Sequence, residues 1–171
     1  MDHRTPNRTS DLPPYSIYDF GPEYLVECPK CQGRARVVSR GPADFPRLTC
    51  AACTHTQERH ARFRWHIDEG LPTPKGLPPG SSHFGTPVDP YFGEPLWLQI
   101  PCVGETLWAY NPKHLEFLRA YVSSTLRERS HRDGGLRNQL LESRLPKWMK
   151  AADNREKVLA GIRKLEKKLK G

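Results

Sequence analysis

The sequence is poor in apolar residues and has no long hydrophobic run. Hydrophobic side chains make up 36% of its 171 residues, against roughly 45–50% in typical globular proteins. Its longest apolar tracts, such as "LWLQIPCV", are far shorter than the ~20 residues that a membrane span requires. The residues after Met1 are polar and proline-bearing, unlike a signal peptide. We therefore predict a modest core and an intracellular, reducing compartment: the cytoplasm, or the nucleus in a eukaryote.

The sequence also lacks the common motifs of catalytic sites. It contains no GxxxxGK[ST] phosphate loop, no HExxH metal pair, no GxSxG turn and no GxGxxG after a strand. Carboxylates are sparse around the predicted hairpin described below, where Glu94 and Glu105 are the acidic residues. We therefore predict that the protein is not an enzyme, and we infer no small-molecule substrate.

Proline and glycine are abundant, and they divide the chain. Residues 68–95 contain seven prolines and five glycines, so neither a helix nor a central strand can run through them. Tyr91 and Phe92 offer apolar anchors that favour partial packing of this connector. The predicted fold class is α+β. Its predicted parts are an N-terminal arm at 1–22, a small β module at 23–67, the connector at 68–95, and a β-hairpin plus helical module at 96–171.

The last module combines strand and helix patterns. Alternating apolar residues in "LWLQIPCVGETLWAY" predict a β-hairpin. Asn111-Pro112 is typical of a helix start, and Asp133-Gly134-Gly135 predicts the end of that helix. A second helix is predicted at 136–144. A basic C-terminal helix is predicted to carry a narrow apolar seam, which consists of Val158, Ile162, Leu165 and Leu169.

Four of the five cysteines form two pairs with the same spacing. Cys28-x2-Cys31 and Cys50-x2-Cys53 are separated by eighteen residues, a spacing typical of four-cysteine zinc sites. Zinc accepts four thiolates in a tetrahedron, and each two-residue gap lets a tight turn present both sulfurs of a pair. We predict one structural Zn²⁺ bound by these four residues.

These residues resemble the zinc-ribbon superfamily over about residues 23–67. Two such knuckles at hairpin ends clamp one zinc beside a small antiparallel sheet in that superfamily. The first knuckle, "CPKCQG", fits well, with Gly33 expected to give the backbone freedom just after the second thiolate. The second, "CAACTHT", departs from the pattern because no glycine follows Cys53. The resemblance implies a role in nucleic-acid processes or in protein docking.

Alternatives remain open for the cysteines. A thioredoxin-like redox pair would need one CxxC at the start of a helix, and an iron–sulfur centre usually shows different spacing. His55 could compete as a ligand. Cys102 reads as a small buried hydrophobe, whereas a catalytic thiol there would need a histidine close in space.

Positive charge is concentrated in two regions. The net charge is +8; residues 21–65 carry +4 and residues 112–171 carry +9, with acidic residues in excess elsewhere. Arginines at alternate positions after each knuckle would give the ribbon a basic face suited to phosphate oxygens, or simply a solvated one. We predict contact with the backbone of DNA or RNA through eight residues: Arg34, Arg36, Arg40, Arg62, Arg64, Arg163, Lys164 and Lys167. The alternative is a protein adaptor that uses the Trp-rich hairpin and the apolar seam to dock a partner or a second copy. No membrane partner is predicted.

Overall fold

A computed structural model describes residues 12, 15, 17–20, 23–39, 45–59, 85–124 and 145–171. These residues fall into two compact units. The ribbon unit contains residues 23–39, 45–59, 85–99 and 108–111, and the helical unit contains residues 12, 15, 17–20, 100–107, 112–124 and 145–171. The described part has a four-stranded sheet, a two-stranded sheet and helices, so the fold is α+β, as predicted.

The main sheet is an antiparallel meander in the ribbon unit. Its strands are β1 (Glu23–Glu27), β2 (Arg34–Val38), β3 (Arg47–Cys50) and β4 (Thr56–Glu58), paired in chain order. In β2, Ala35 and Val37 are buried while Arg34 and Arg36 are exposed, because successive side chains point to opposite faces. This matches the alternation seen in the sequence. Residues 60–67 of the predicted β module lie outside the described residues.

Residues 85–97 belong to the predicted connector and hairpin, and they are ordered against β1. The backbone N–H of Glu27 donates to the Pro95 carbonyl at 2.8 Å, and that of Trp97 donates to the Leu25 carbonyl at 2.9 Å. The fully buried carboxylate of Asp89 accepts three backbone N–H bonds within its own turn, from Tyr91, Phe92 and Glu94. The Asp89 carboxylate therefore holds this turn together, in a segment whose glycines and prolines disfavour helix and strand.

The predicted hairpin is present. It consists of β5 (Leu98–Cys102) and β6 (Glu105–Ala109), joined by Val103 and Gly104 with φ of 54° and 76°. Two consecutive positive φ angles are typical of a type I′ turn, whose twist suits a two-residue hairpin.

The described helices all lie in the helical unit. They are α1 (Pro112–Ser123), α2 (Lys147–Lys150) and α3 (Arg155–Lys170), with short 3₁₀ turns at Ile17–Phe20 and Ala152–Asn154. Helix α1 begins as predicted, but the predicted end at Asp133 is wrong. It ends at Ser123, where the Ala120 carbonyl accepts hydrogen bonds from the hydroxyls of Ser123 and Ser124 and from the Ser124 N–H. The helix predicted at 136–144 lies outside the described residues.

The core of the helical unit forms where α3 packs against α1. Each helix buries one apolar stripe. The stripe residues are at most 1% exposed: Leu115, Leu118 and Val122 on α1, and Val158, Ile162 and Leu165 on α3. Phe20 adds to this core by stacking on the His114 ring at a centroid distance of 4.9 Å. Among the described residues, no helix is long and apolar enough to cross a membrane.

Candidate metal centre

Both cysteine knuckles lie at the same end of the ribbon sheet. The first links β1 to β2, and the second links β3 to β4. Because Ala35 of β2 pairs with Cys50 of β3, the two turns emerge side by side. The sheet register therefore brings together two cysteine pairs that are far apart in sequence.

The four thiol groups are placed as a single tetrahedral ion requires. The Sγ atoms of Cys28 and Cys53 are 3.6 Å apart, as are those of Cys31 and Cys50, and all four lie within 4.8 Å of one another. Zinc–sulfur bonds of about 2.3 Å in a tetrahedron imply sulfur–sulfur distances of about 3.8 Å. The predicted ligand set thus forms a four-cysteine site that can hold a metal ion, and zinc fits its donor chemistry.

The two knuckles share one backbone design. The N–H of Cys28 donates to the Gly33 carbonyl, and the N–H of Cys50 donates to the His55 carbonyl, so each bond spans five residues. The positive φ angles, 59° and 58°, fall on Gln32 and Thr54, the residues that follow the second cysteine of each pair. The predicted reason for Gly33 is therefore wrong, because the backbone freedom is needed one residue earlier.

Gly33 has a different role, which is to leave room for sulfur. A Cβ atom at this position would lie 3.3 Å from the Sγ of Cys31 and 3.5 Å from the Cβ of Ala52. The first of these distances is tight, so a side chain here would press against the Cys31 thiol. In the second knuckle the equivalent position is His55, which is not a member of the four-cysteine cluster.

Backbone amides in both knuckles donate to cysteine sulfur atoms. The N–H of Lys30 lies 3.4 Å from the Sγ of Cys28. Hydrogen bonds from the backbone of Cys53, and then of Ala52, lower the pKa of the Cys50 thiol to about 7 despite partial desolvation. Cys28 and Cys50 are buried, whereas Cys31 is exposed. Despite a hydrogen bond from the His55 backbone, hydrogen bonds from neighbouring thiols, together with desolvation, raise the pKa of the Cys53 thiol, so the lowered pKa belongs to Cys50 and not to the group as a whole. Metals bind the thiolate form, so a bound cation would favour deprotonation of all four. Neither pair opens a helix, as a thioredoxin-like redox pair would.

The outer face of the ribbon sheet carries the first two predicted arginines, but it is not basic overall. Arg34 and Arg36 are both exposed there. Cross-strand pairing places acidic residues beside them: Glu27 opposite Arg34, and Glu23 bound to the Arg36 guanidinium at 2.8 Å. On the next strands, Arg47 forms an ion pair with Glu58. Three arginines and three glutamates therefore share this face.

The sequence analysis did not predict that Arg47 lies on this face, or that Glu23 forms an ion pair with Arg36. The signal was present, because the knuckles fix which strands are neighbours and alternation fixes which residues share a face. The predicted residues Arg40, Arg62 and Arg64 lie outside the described residues.

Helix α3 exposes the other predicted cations. Arg163, Lys164 and Lys167 all face solvent. In contrast, the seam assigned to a partner belongs to the core of the chain itself: Val158, Ile162 and Leu165 have no exposed surface, and Leu169 is half-buried. The seam is filled because α1 packs on it.

Cys102 lies apart from the knuckles, in the helical unit. It is buried, and its Sγ donates to the Lys157 carbonyl at 3.7 Å. Burial raises the pKa of this thiol, with a smaller opposing effect from Lys164. These properties fit the predicted role as a small apolar side chain.

Comparison of the chain with protein-family models, curated proteins and solved structures gave no match.

Proposed function

We propose that the protein binds one structural zinc ion and contacts the phosphate backbone of nucleic acid. The zinc part rests on the four thiols at mutual distances suited to a tetrahedral ion. Four thiolates fill the coordination shell, which leaves no position for a catalytic water. The ion therefore stabilises the ribbon, and the binding surface lies elsewhere on the chain.

The nucleic-acid part rests on the exposed cations of helix α3. Residues 146–171 contain nine basic and three acidic side chains, and Arg163, Lys164 and Lys167 are exposed on the side of the helix away from its buried stripe. A rigid, cationic helix surface attracts a polyanion and releases its counterions. The ribbon face contributes less, because its glutamates balance Arg34, Arg36 and Arg47.

A protein-adaptor function has weaker support. Its main argument was the seam on the C-terminal helix, and Val158, Ile162 and Leu165 are fully buried within the chain. In the hairpin region, Tyr110 is also buried, while Trp108 is half-buried. The surface that could receive a partner is therefore smaller than the sequence suggested.

Titration of labelled nucleic acid at several salt concentrations tests the proposal. We expect binding at low salt that weakens steeply as salt rises. A triple variant, Arg163→Gln/Lys164→Gln/Lys167→Gln, should lose about two orders of magnitude in affinity near 0.1 M salt, since each phosphate contact contributes up to roughly tenfold there. Glutamine keeps a similar helix propensity.

The control variant is Arg36→Gln, which removes a cation already paired with Glu23. It should change affinity much less than any one substitution in α3. If the chain binds neither DNA nor RNA at low salt, the proposal fails.

A further inference from the structure

The exposed side of helix α3 carries its cations in two separate rows. Lys157 and Lys164 form one row, and Arg163 and Lys170 form the other; all four are exposed. Residues seven apart point in nearly the same direction and lie about 10 Å apart along the axis. The two rows differ in direction by roughly 120° around the helix, at 3.6 residues per turn. The helix thus has two cationic flanks.

The crest between the flanks is narrow and has no aromatic residue. Ala160 and Lys167 project midway between the two rows, since they are three and ten residues beyond Lys157. The exposed Glu156 lies beside them on the crest, nearer the row of Arg163 and Lys170, and is its one acidic residue. No aromatic side chain occurs anywhere in Arg155–Lys170. Single-stranded nucleic acid is usually held by stacking of bases on aromatic rings. This surface cannot provide such stacking, which favours binding to the phosphate backbone of a duplex over binding to a single strand.

The opposite side of α3 fixes the helix in place. Val158, Ile162 and Leu165 are fully buried against the rest of the helical unit. The Arg155 side chain donates to the Ser123 carbonyl, and Arg119 pairs with Glu166 at 3.6 Å. Because the helix is held on this side, both flanks keep fixed directions towards solvent. The buried stripe is also unable to insert into a lipid surface.

We propose that α3 lies in the major groove of B-form double-stranded DNA, with one flank on the phosphates of each strand. This inference rests on the proposed function and names its target. A helix with its side chains is about 10–12 Å wide, and the B-DNA major groove is about 12 Å wide. Cations projecting from both sides of a helix in that groove reach opposite walls. The major groove of A-form RNA is too narrow to admit them.

The small crest suits this position but offers little for reading sequence. Ala160 allows close approach to the base edges, and Lys167 is the one crest residue able to donate hydrogen bonds to them. Binding should therefore be nearly independent of sequence and strongly dependent on salt.

The test compares duplex DNA, the same strand alone, and duplex RNA at several salt concentrations. Two variants each remove one flank: Lys157→Gln/Lys164→Gln and Arg163→Gln/Lys170→Gln. On duplex DNA, each should reduce the slope of log affinity against log salt by about 2, because two phosphate contacts are lost. The control, Arg36→Gln/Arg47→Gln on the ribbon, changes the net charge equally but removes cations already paired with Glu23 and Glu58, so it should change the slope much less than either flank variant. Zinc content and circular dichroism check that each variant is folded.

Different results separate this inference from the proposed function. If duplex DNA binds most tightly and both flank variants reduce the slope, the inference is supported. If nucleic acid binds but single strands or RNA duplexes bind as tightly, or only one flank affects the slope, groove binding is wrong and backbone binding stands. If vesicles of phosphatidylcholine and phosphatidylserine bind while nucleic acids do not, both proposals are wrong.

Discussion

Gln32 and Thr54 explain how two dissimilar sequences form matching knuckles. Both adopt positive φ angles near 60°, a conformation that costs roughly 1–2 kcal/mol for residues other than glycine. Coordination of an ion by the two adjacent cysteine pairs can offset that cost. The absence of glycine from the second knuckle is therefore no obstacle to metal binding.

His114 predicts how stability depends on pH. Its ring is completely buried, and burial lowers the pKa of His114 from 6.5 to about 3. Between these values the unfolded chain binds a proton that the folded chain does not, so stability falls as pH decreases below 6.5. The expected loss is about 1.4 kcal/mol per pH unit. Denaturant unfolding at pH 7.5 and pH 5.0, with zinc in excess, measures it.

The control for this prediction is His114→Gln, which removes the titrating group. Between the two pH values, the natural chain should lose about 2 kcal/mol more stability than the variant. Protonation of the cysteines affects both proteins alike and cancels in this comparison. Equal losses in the two proteins would show that His114 is not held neutral in the folded state.

At the scale of elements, Gly161 sets how closely α3 approaches the hairpin tip. A Cβ atom at this position would lie 2.8 Å from the Cδ2 of Leu107 and 3.5 Å from the Sγ of Cys102. Alanine normally stabilises a helix by about 1 kcal/mol relative to glycine. Here the clash should dominate, and Gly161→Ala should lower the free energy of unfolding by about 1–3 kcal/mol.

A second substitution tests the cause. Leu107→Val removes the Cδ atoms that the new methyl group would meet, so Gly161→Ala should be much less destabilising in that background. Urea unfolding of the single and double variants gives the coupling energy between the two positions. If the two changes in unfolding free energy are additive, the new methyl group does not clash with Leu107. A stabilising single substitution would mean that the helix shifts without cost.

The sequence predicted those elements whose signal is local. The CxxC spacing identified the four cysteines that cluster in space, and the Asn111-Pro112 pair marked the start of α1. Neither required knowledge of distant residues. Burial of Ile162 depends on α1 lying against it, and neutralisation of Arg36 depends on Glu23 in the neighbouring strand. An exposed apolar stripe and a buried one have the same sequence periodicity. Burial and cross-strand ion pairs therefore depend on contacts between distant residues, which the tertiary structure provides.

At the scale of the whole molecule, the positively charged side chains are arranged differently in the two units. In the ribbon unit, cross-strand neighbours interleave arginine with glutamate, as Arg36 and Arg47 show. In the helical unit, Arg163, Lys164 and Lys167 are gathered on one exposed surface. Exposed cations therefore form a short-range network with carboxylates in the ribbon unit and a long-range attractive field in the helical unit.

Zinc removal should affect the ribbon unit specifically. The four clustered cysteines lie at the turns of its four short strands, and a segment as short as 23–58 rarely folds without a metal or disulfide. Helices α1 and α3 bury their stripes against each other and contain no metal ligand. We expect a chelator, or Cys50→Ser, to abolish amide protection in β2 and β3 while protection in α1 and α3 persists. Hydrogen exchange on the full chain measures both.

Cys102→Ser is the matched control, because it also replaces one buried cysteine. Serine can still donate to the Lys157 carbonyl that the thiol contacts. This variant should retain one zinc per chain by metal analysis and normal protection of β2 and β3, whereas Cys50→Ser should lose both. If the ribbon strands stay protected after Cys50→Ser has lost its zinc, the ion does not stabilise the ribbon. If zinc is lost from Cys102→Ser as well, the assignment of the four ligands is wrong.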